Sequence, residues 1–485
     1  MRMVRYARRA LLAAPLLYGT AAQAQAARSS PSIDVPTLPL VRHTLPNGLT
    51  ALLTQDRSAP VVAVSVWYHV GSKNEKPGRT GFAHLFEHMM FEGSQNVPSG
   101  EHRRLIQALG GSFNGTTNED RTNYFETLPS NQLETALWLE SDRMATLLTR
   151  VNQERLDAQR EIVKNERRLR VDNQPYGISF EVITGALFPS THPYSWSVIG
   201  SMTDLSAATL QDVHEFFRTY YAPNNATIVI SGDFDVEQTK RLLDRYFGSI
   251  PRGPAIERPR VPAITLPAEK RLVLEDTRAR LPQLQIAWPT VGRHAPDRYA
   301  LNALASVLTL DRTSRLRKAL VYDRQLATNV SAFNNDNEDA GYFQISVTPR
   351  PNASLTEIEA VVDSVINAVK TGPVSAAEVQ RVINYAVVGT ITGLESRFAR
   401  AEVLAEGHVF DGDPMAYRSD IARRRAVTPA DVQRVARQYL GAGRVVLSMV
   451  PAGKLDQVSK PSAPFTNVTP AAAAAAPATP AAGTN

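Results

Sequence analysis

The sequence predicts an α+β protein of two tandem homologous domains, each a largely antiparallel sheet with helices packed on one face. Two repeats and one element order carry that expectation. Thr209, Asp212, Val213 and Tyr220 return as Thr428, Asp431, Val432 and Tyr439, each pair 219 positions apart. An apolar, strand-like run follows each set, Thr227 to Ser231 and then Val445 to Val450. Near the starts of the halves, Trp67, Val70 and Gly71 match Trp288, Val291 and Gly292 at a shift of 221. Agreement at both ends of a half points to a duplication rather than chance. Within the first half the order is two strands (Leu49 to Thr54, Val61 to Val70), a helix, a strand pair, long helices and a closing strand, the signature of layered α+β packing.

The limits of the domains follow from composition. A chain of 485 residues with 43% hydrophobic content can bury two or three cores. The first domain is expected over 41–250 and the second over 263–455, joined by the Pro- and Arg-rich stretch 251–262, which has the character of an exposed linker. Residues 1–24 read as a cleaved signal peptide: Arg2, Arg5, Arg8 and Arg9 precede a short apolar run, and Ala22-Gln23-Ala24 offers a small-x-small cleavage site. That run is too short to span a bilayer, and no later segment is long and apolar enough, so a periplasmic or secreted protein with no stable membrane span is expected. Residues 460–485, nearly all Ala, Pro, Thr and Ser, read as a disordered tail. The net charge of +6 is small for this size and spread along the chain, which argues against nucleic acid as a partner. With no cysteine, a metal site can draw only on His, Asp and Glu.

The chemistry lies between Thr80 and Gly93. Thr80 is a suitable N-cap and Gly93 a terminator, so residues 81–92 are expected to form one short helix. His84 and His88 stand at i and i+4 on one face of it, able to hold a single ion, with Glu87 beside them to reach a water on that ion. The other residues, among them Phe82, Leu85, Phe86 and Met89, make the helix apolar nearly all round and hence buried; three polar groups there need a compensating partner, which a metal supplies.

A hydrolytic zinc site needs a third protein ligand and one open position. On a second expected helix, Gln153 to Arg170, the candidates are Glu161 and Glu166. They point about 140° apart. Glu166 has Ile162, Val163 and Leu169 as helical neighbours, whereas Glu161 has Asp157, Lys164 and Asn165, so Glu166 is expected to face inward and Glu161 solvent. The shift of 221 carries His84, Glu87 and His88 onto Ala305, Leu308 and Thr309, so the second half cannot bind zinc in the same way.

From Val41 to Val450 the sequence resembles the pitrilysin, insulinase and mitochondrial processing peptidase family, the inverzincins. The resemblance runs through Asn47-Gly48-Leu49, the His84 to His88 motif, Gly110-Gly111-Ser112-Phe113-Asn114, the segment Gln159 to Glu166, Pro223-Asn224-Asn225 and Gly232-Asp233-Phe234. It implies a zinc endopeptidase acting on peptides or unfolded polypeptides: one Zn2+ per chain on His84, His88 and Glu166, and Glu87 as general base toward a zinc-activated water. It also implies that substrate adds as a strand along Gly111, Ser112, Phe113 and Asn114. For Asn114, a turn-forming role before Gly115 is the alternative.

Two departures from the family pattern matter. Where many relatives carry a second glutamate this chain has Gln159, which can act near the metal only through hydrogen bonds. The Arg and Tyr that the family's second half offers to the substrate carbonyl align with Val321 and Thr328; Arg315 and Tyr322 have the same spacing and are a shifted alternative. A dimer is therefore expected, preferably with a homologous subunit that lacks the zinc motif and brings the Arg and Tyr. A non-catalytic assembly or peptide-binding protein on the same fold is the competing reading.

Overall fold

The computed structural model describes residues 34–258 and 261–469. The expected signal peptide and residues 470–485 lie outside them. The six strands of the first sheet are β1 (Val41–Thr44), β2 (Thr50–Gln55), β3 (Val61–Tyr68), β4 (Ser112–Thr117), β5 (Thr122–Pro129) and β6 (Ala226–Gly232), in the order β1-β2-β6-β3-β5-β4. Only the β2–β6 pairing is parallel. The second sheet holds β7 (Lys270–Asp276), β8 (Gln283–Val291), β9 (Ala327–Asp336), β10 (Ala340–Pro349), β11 (Val445–Pro451) and β12 (Thr466–Val468), in the order β12-β7-β11-β8-β10-β9. Its β7 pairs in parallel with both β11 and β12, and the remaining pairings are antiparallel. The α+β class read from the sequence is the class observed.

Strand β3 reads Val61-Val62-Ala63-Val64-Ser65-Val66-Trp67-Tyr68 and is buried along almost its whole length, because both of its faces are covered. Val62, Val64, Val66 and Tyr68 join the main core of the first half. Ser65 and Trp67, on the opposite face, meet the helix Arg397–Asp411 of the second half. The exchange is mutual: Val182, Ile183 and Leu187 on the helix Ser179–Leu187 of the first half pack on Leu274, Ala287 and Leu447 of the second sheet. Alternation alone did not reveal this, since a strand buried on both sides carries no period of two.

The 219-residue repeat is visible as chemistry. Thr209 caps the helix Leu210–Tyr220 and Thr428 caps Pro429–Tyr439, each in a capping box closed by an aspartate, Asp212 or Asp431. The tryptophan match is not structural. Trp67 faces the exchanged helix, whereas in β8 it is Ala287 that does so, which turns Trp288 to the other side of its sheet. A shift of one residue exchanges the two faces of a strand.

The chain end also differs from expectation. The disordered tail was placed from Lys460, yet β12 pairs with β7, and Glu359 accepts hydrogen bonds from Lys460 Nζ (2.7 Å) and Ser459 Oγ. The Ala- and Pro-rich composition gave no sign of this anchor, which comes from a buried carboxylate about a hundred residues earlier in the chain. Within the stretch expected to be a linker, Gly253 N donates to Asn224 Oδ1 and Arg258 to Asn225 Oδ1, both at 2.7 Å, laying that segment against the first half. No helix among the described residues is long and apolar enough to cross a membrane.

Candidate metal centre

The motif helix spans Phe82–Met89, shorter than the expected 81–92, and residues 90–92 continue it only as turns. Its N-cap is Gly81 rather than Thr80. Thr80 turns away, its backbone N and Oγ1 both donating to Asp204, and Glu75 caps the helix from outside by accepting from Gly81 N (3.1 Å) and Ala83 N (2.7 Å). A carboxylate at the positive end of a helix satisfies donors that would otherwise be buried and unpaired. Gly81 has φ +86°, and a Cβ there would lie 2.8 Å from Ile199 O, so this backbone crossing requires glycine.

His84 and His88 project from one face, their rings 4.8 Å apart and nearly perpendicular. Opposite them runs the helix Gln153–Arg167, which passes at Arg168–Asp172 into a wider π turn instead of continuing regularly to Arg170. Glu166 Oε2 stands 3.3 Å from His88 Nε2 and 3.8 Å from His84 Nε2. Donors bound at zinc distances in a tetrahedron are about 3.3 Å apart, so two imidazoles and one carboxylate so arranged suit the ion with little movement. Glu166 Oε1 is held by Arg170 at 2.5 Å, which leaves Oε2 toward the histidines. The hydrogen bond to His88 holds the Glu166 carboxyl below its ordinary range, and burial together with the neighbouring His88 pushes His84 down, keeping the imidazole neutral as a ligand must be.

Two further groups of close His, Asp and Glu occur among the described residues: His102, Glu126 and Glu140, and Asp120, Glu338 and Asp339. Each already contains a protein cation, Arg143 in the first and Lys73 in the second. The motif group instead has both histidine rings and the Glu166 carboxylate bordering an open cleft.

Of the three apolar neighbours expected beside Glu166, Val163 is buried and the other two are not. Ile162 and Leu169 are 47% and 65% exposed, and Ile162 lines the cleft. The inward-facing neighbours are Val163 and Arg167, the latter fixed by Glu181 and by Gly200 O. Glu161 is exposed and pairs with Lys164, as expected of a solvated carboxylate.

The cleft encloses about 910 Å³ and is bordered by Glu87, both histidines, Glu166 and strand β4. Strand β4 is one of the two edge strands of the first sheet, the other being β1, and an edge strand leaves backbone groups without a strand partner on its outer side. Phe113 and Asn114 lie within it and border the cleft; Ser112 begins the strand, and Gly111 precedes it. Asn114 is a strand residue, not a turn residue; the turn falls at Asn118, whose Oδ1 accepts from Asp120 N and Arg121 N. Gly115 lets β4 lie close against the motif helix: a Cβ there would stand 3.1 Å from Glu87 Cγ, so the neighbouring side chains would have to give way slightly. Gln159 is buried at the cleft wall and donates to Glu92 Oε1 at 2.7 Å. In the second half, Arg315 is committed to Glu378 through two hydrogen bonds, and Tyr322 is 47% exposed beside Arg312.

Residues 50–192, which contain the motif helix and Glu166, match the model of the insulinase family, peptidase family M16, and residues 207–385 match that of the peptidase M16 inactive domain. The chain belongs to the insulinase (M16) peptidase family. It is 27% identical over 402 residues to the zinc protease PqqE of Helicobacter pylori, covering 82% of this chain and 89% of that one. It superposes on the crystal structure of a protease from Helicobacter pylori with a TM-score of 0.80 and 26% identity, over 85% of this chain and all of the other. The periplasmic protease PqqL of Escherichia coli shares the fold at a TM-score of 0.71 and 17% identity, with 91% of this chain matching 50% of that one.

Within this M16 chain the sequence reading missed Glu75, because an acid six residues before a helix gives no capping signature. It also missed Thr117, whose Oγ1 donates to Glu87 Oε2 at 2.6 Å. Burial pushes the Glu87 carboxyl up, and the Thr117 hydroxyl holds it partly down. A raised carboxyl suits a group that must take a proton and give it back.

Proposed function

We propose that the chain is a zinc endopeptidase that hydrolyses peptides or unfolded polypeptides, with one ion on His84, His88 and Glu166. The observation that carries this reading is the convergence of those three donors beside a half-buried Glu87 and a free strand edge. Bound zinc supplies a Lewis acid that makes water more acidic and polarises the scissile carbonyl. Glu87 takes the proton of the attacking water on the oxygen that Thr117 leaves free, and returns it to the departing amine. Strand β4 aligns the substrate by main-chain hydrogen bonds, which accommodate varied sequences; Gly111, Ser112, Phe113 and Asn114 are the segment offered to it. Gln159 supports the wall through Glu92.

Export to the periplasm, after removal of a signal peptide, fits the N-terminal sequence and the periplasmic relative PqqL. Dimer formation with a zinc-free homologue supplying Arg and Tyr fits the commitment of Arg315 to Glu378. The decisive experiment measures zinc content and peptide hydrolysis of the purified chain before and after chelation, alone and with such a homologue. Hydrolysis lost with the metal and restored by zinc supports the reading. A chain that binds zinc yet hydrolyses nothing in either state would instead be a peptide-binding or assembly protein.

A further inference from the structure

The outer face of the first sheet receives a carboxylate that belongs to the other half. Glu402, on the exchanged helix Arg397–Asp411, accepts from Ser65 Oγ (2.7 Å) and Trp67 Nε1 (3.0 Å) on Oε1 and from Asn123 Nδ2 (2.8 Å) on Oε2. Seating a helix on a sheet does not require this. The reciprocal contact on the second sheet is made chiefly by apolar side chains such as Val182, Ile183 and Leu187. A partly buried carboxylate is costly unless fully paired, so its presence on the zinc side alone calls for another reason.

The reason lies in what Glu402 does to Asn123. That side chain is fully buried, and with its Nδ2 drawn to Glu402 its Oδ1 must point the other way, where it accepts from Thr116 Oγ1 (2.5 Å) and Arg121 Nη1 (3.1 Å). The same Arg121 nitrogen donates to the backbone oxygen of Thr116 at 2.8 Å, and the guanidinium lies over the Trp67 ring. Thr116 is thus clamped on the outer face of β4. Successive strand residues point to opposite faces, so the next one, Thr117, reaches inward to Glu87.

We propose that Glu402 is a positioning residue for the peptidase site: it fixes the Asn123 amide, which with Arg121 clamps Thr116 and holds β4 where Thr117 meets Glu87. The inference rests on the peptidase reading. It makes alignment of the base depend on correct seating of the second half on the first sheet.

Glu402→Gln tests it with a nearly isosteric change. Its Oε1 can still accept from Ser65 and Trp67, but its new amide nitrogen faces Asn123 Nδ2, so one of the two amides must turn, and a turned Asn123 presents N–H groups to Arg121. Adding Asn123→Asp restores an acceptor opposite the new donor and keeps one for Thr116 and Arg121. In the zinc-loaded full chain, in the assembly where the parent is active, we expect kcat of Glu402→Gln to fall by about tenfold or more with KM within about twofold, as for a displaced catalytic group. Zinc content should be unchanged, and the double variant should recover most of the loss. Thr116→Val, away from the contact between the halves, should lower kcat alike if Glu402→Gln folds poorly. Near-parental kcat in folded Glu402→Gln or in Thr116→Val, or a loss that Asn123→Asp does not repair, overturns the proposal. A parent that cleaves nothing refutes the peptidase reading instead.

Discussion

Thr117 Oγ1 lies 2.6 Å from Glu87 Oε2, joining the edge strand to the carboxylate beside the two histidines. The hydroxyl selects which Glu87 oxygen is free to face water and opposes the upward push of burial on its pKa. Thr117→Val keeps the shape and removes the donor. We expect unchanged zinc content and a fall in kcat of about tenfold, in line with loss of one hydrogen bond to a charged group. Peptide kinetics with metal analysis check it; unaltered kcat removes Thr117 from the mechanism.

Glu87 and the proposed ligands should separate cleanly. Glu87→Gln retains volume and loses the base, so zinc stays while hydrolysis falls by roughly 10²- to 10⁴-fold. His84→Ala and Glu166→Ala should lose metal and activity together. Glu161→Gln should change neither, since Glu161 is exposed and paired with Lys164. Retention of zinc by Glu166→Ala together with loss in Glu161→Gln would mean that the third ligand has been misassigned.

How far the sequence reached depended on the range of the interactions. The His84, Glu87 and His88 face was legible because it is local to one helix turn, and the return of Thr209 and Asp212 as Thr428 and Asp431 because identity at a fixed shift is written in the sequence; that each pair closes a capping box came from the structure. The exchange of helices between the halves was not, since Ser65 and Glu402 are 337 residues apart. The tryptophan match shows the complementary hazard: identity at a fixed shift does not guarantee the same face of a strand. Glu166 was chosen for three apolar neighbours, of which Val163 is buried as expected, Ile162 borders the open cleft and Leu169 is exposed.

Glu359 should govern the acid stability of the second half. Its buried side chain accepts from Arg271 (2.7 Å), Arg444 (3.0 Å) and Lys460 (2.7 Å). Burial alone would raise its pKa, but the hydrogen bonds from Arg271, Lys460 and Ser459 hold it down at about 2. A depressed carboxyl stabilises fully above its unfolded value near ~4.3, and the contribution is lost as pH falls from there toward the folded value. Glu359→Gln should therefore cost about 3 kcal/mol at neutral pH, typical of a broken buried ion pair, and much less near pH 2. Thermal melts across that range check it; a penalty independent of pH contradicts the assignment.

Assembly is the remaining question, and the second half bears on it directly. In the family pattern an Arg and a Tyr from a second half face the metal, and here the aligned positions hold Val321 and Thr328. The alternative pair is compromised, because the Arg315 guanidinium is spent on Glu378 at 2.8 and 3.0 Å. The fold is shared with half the length of PqqL, and the arrangement considered for this chain is pairing with another subunit. A homodimer would bring Val321 and Thr328 to the partner's metal, with neither a cation nor a phenol for the developing oxyanion. Such a donor is worth a few kcal/mol, so hydrolysis should be slower by a factor on the order of a hundred. We therefore expect the isolated chain to hydrolyse peptides weakly, and a stoichiometric complex with a zinc-free homologue carrying Arg and Tyr to restore the rate. Native mass and kcat/KM of the two preparations check this. Full activity in the isolated chain, lost on Arg315→Ala or Tyr322→Phe, would instead assign the oxyanion role to those residues, with Arg315 released from Glu378 when substrate binds.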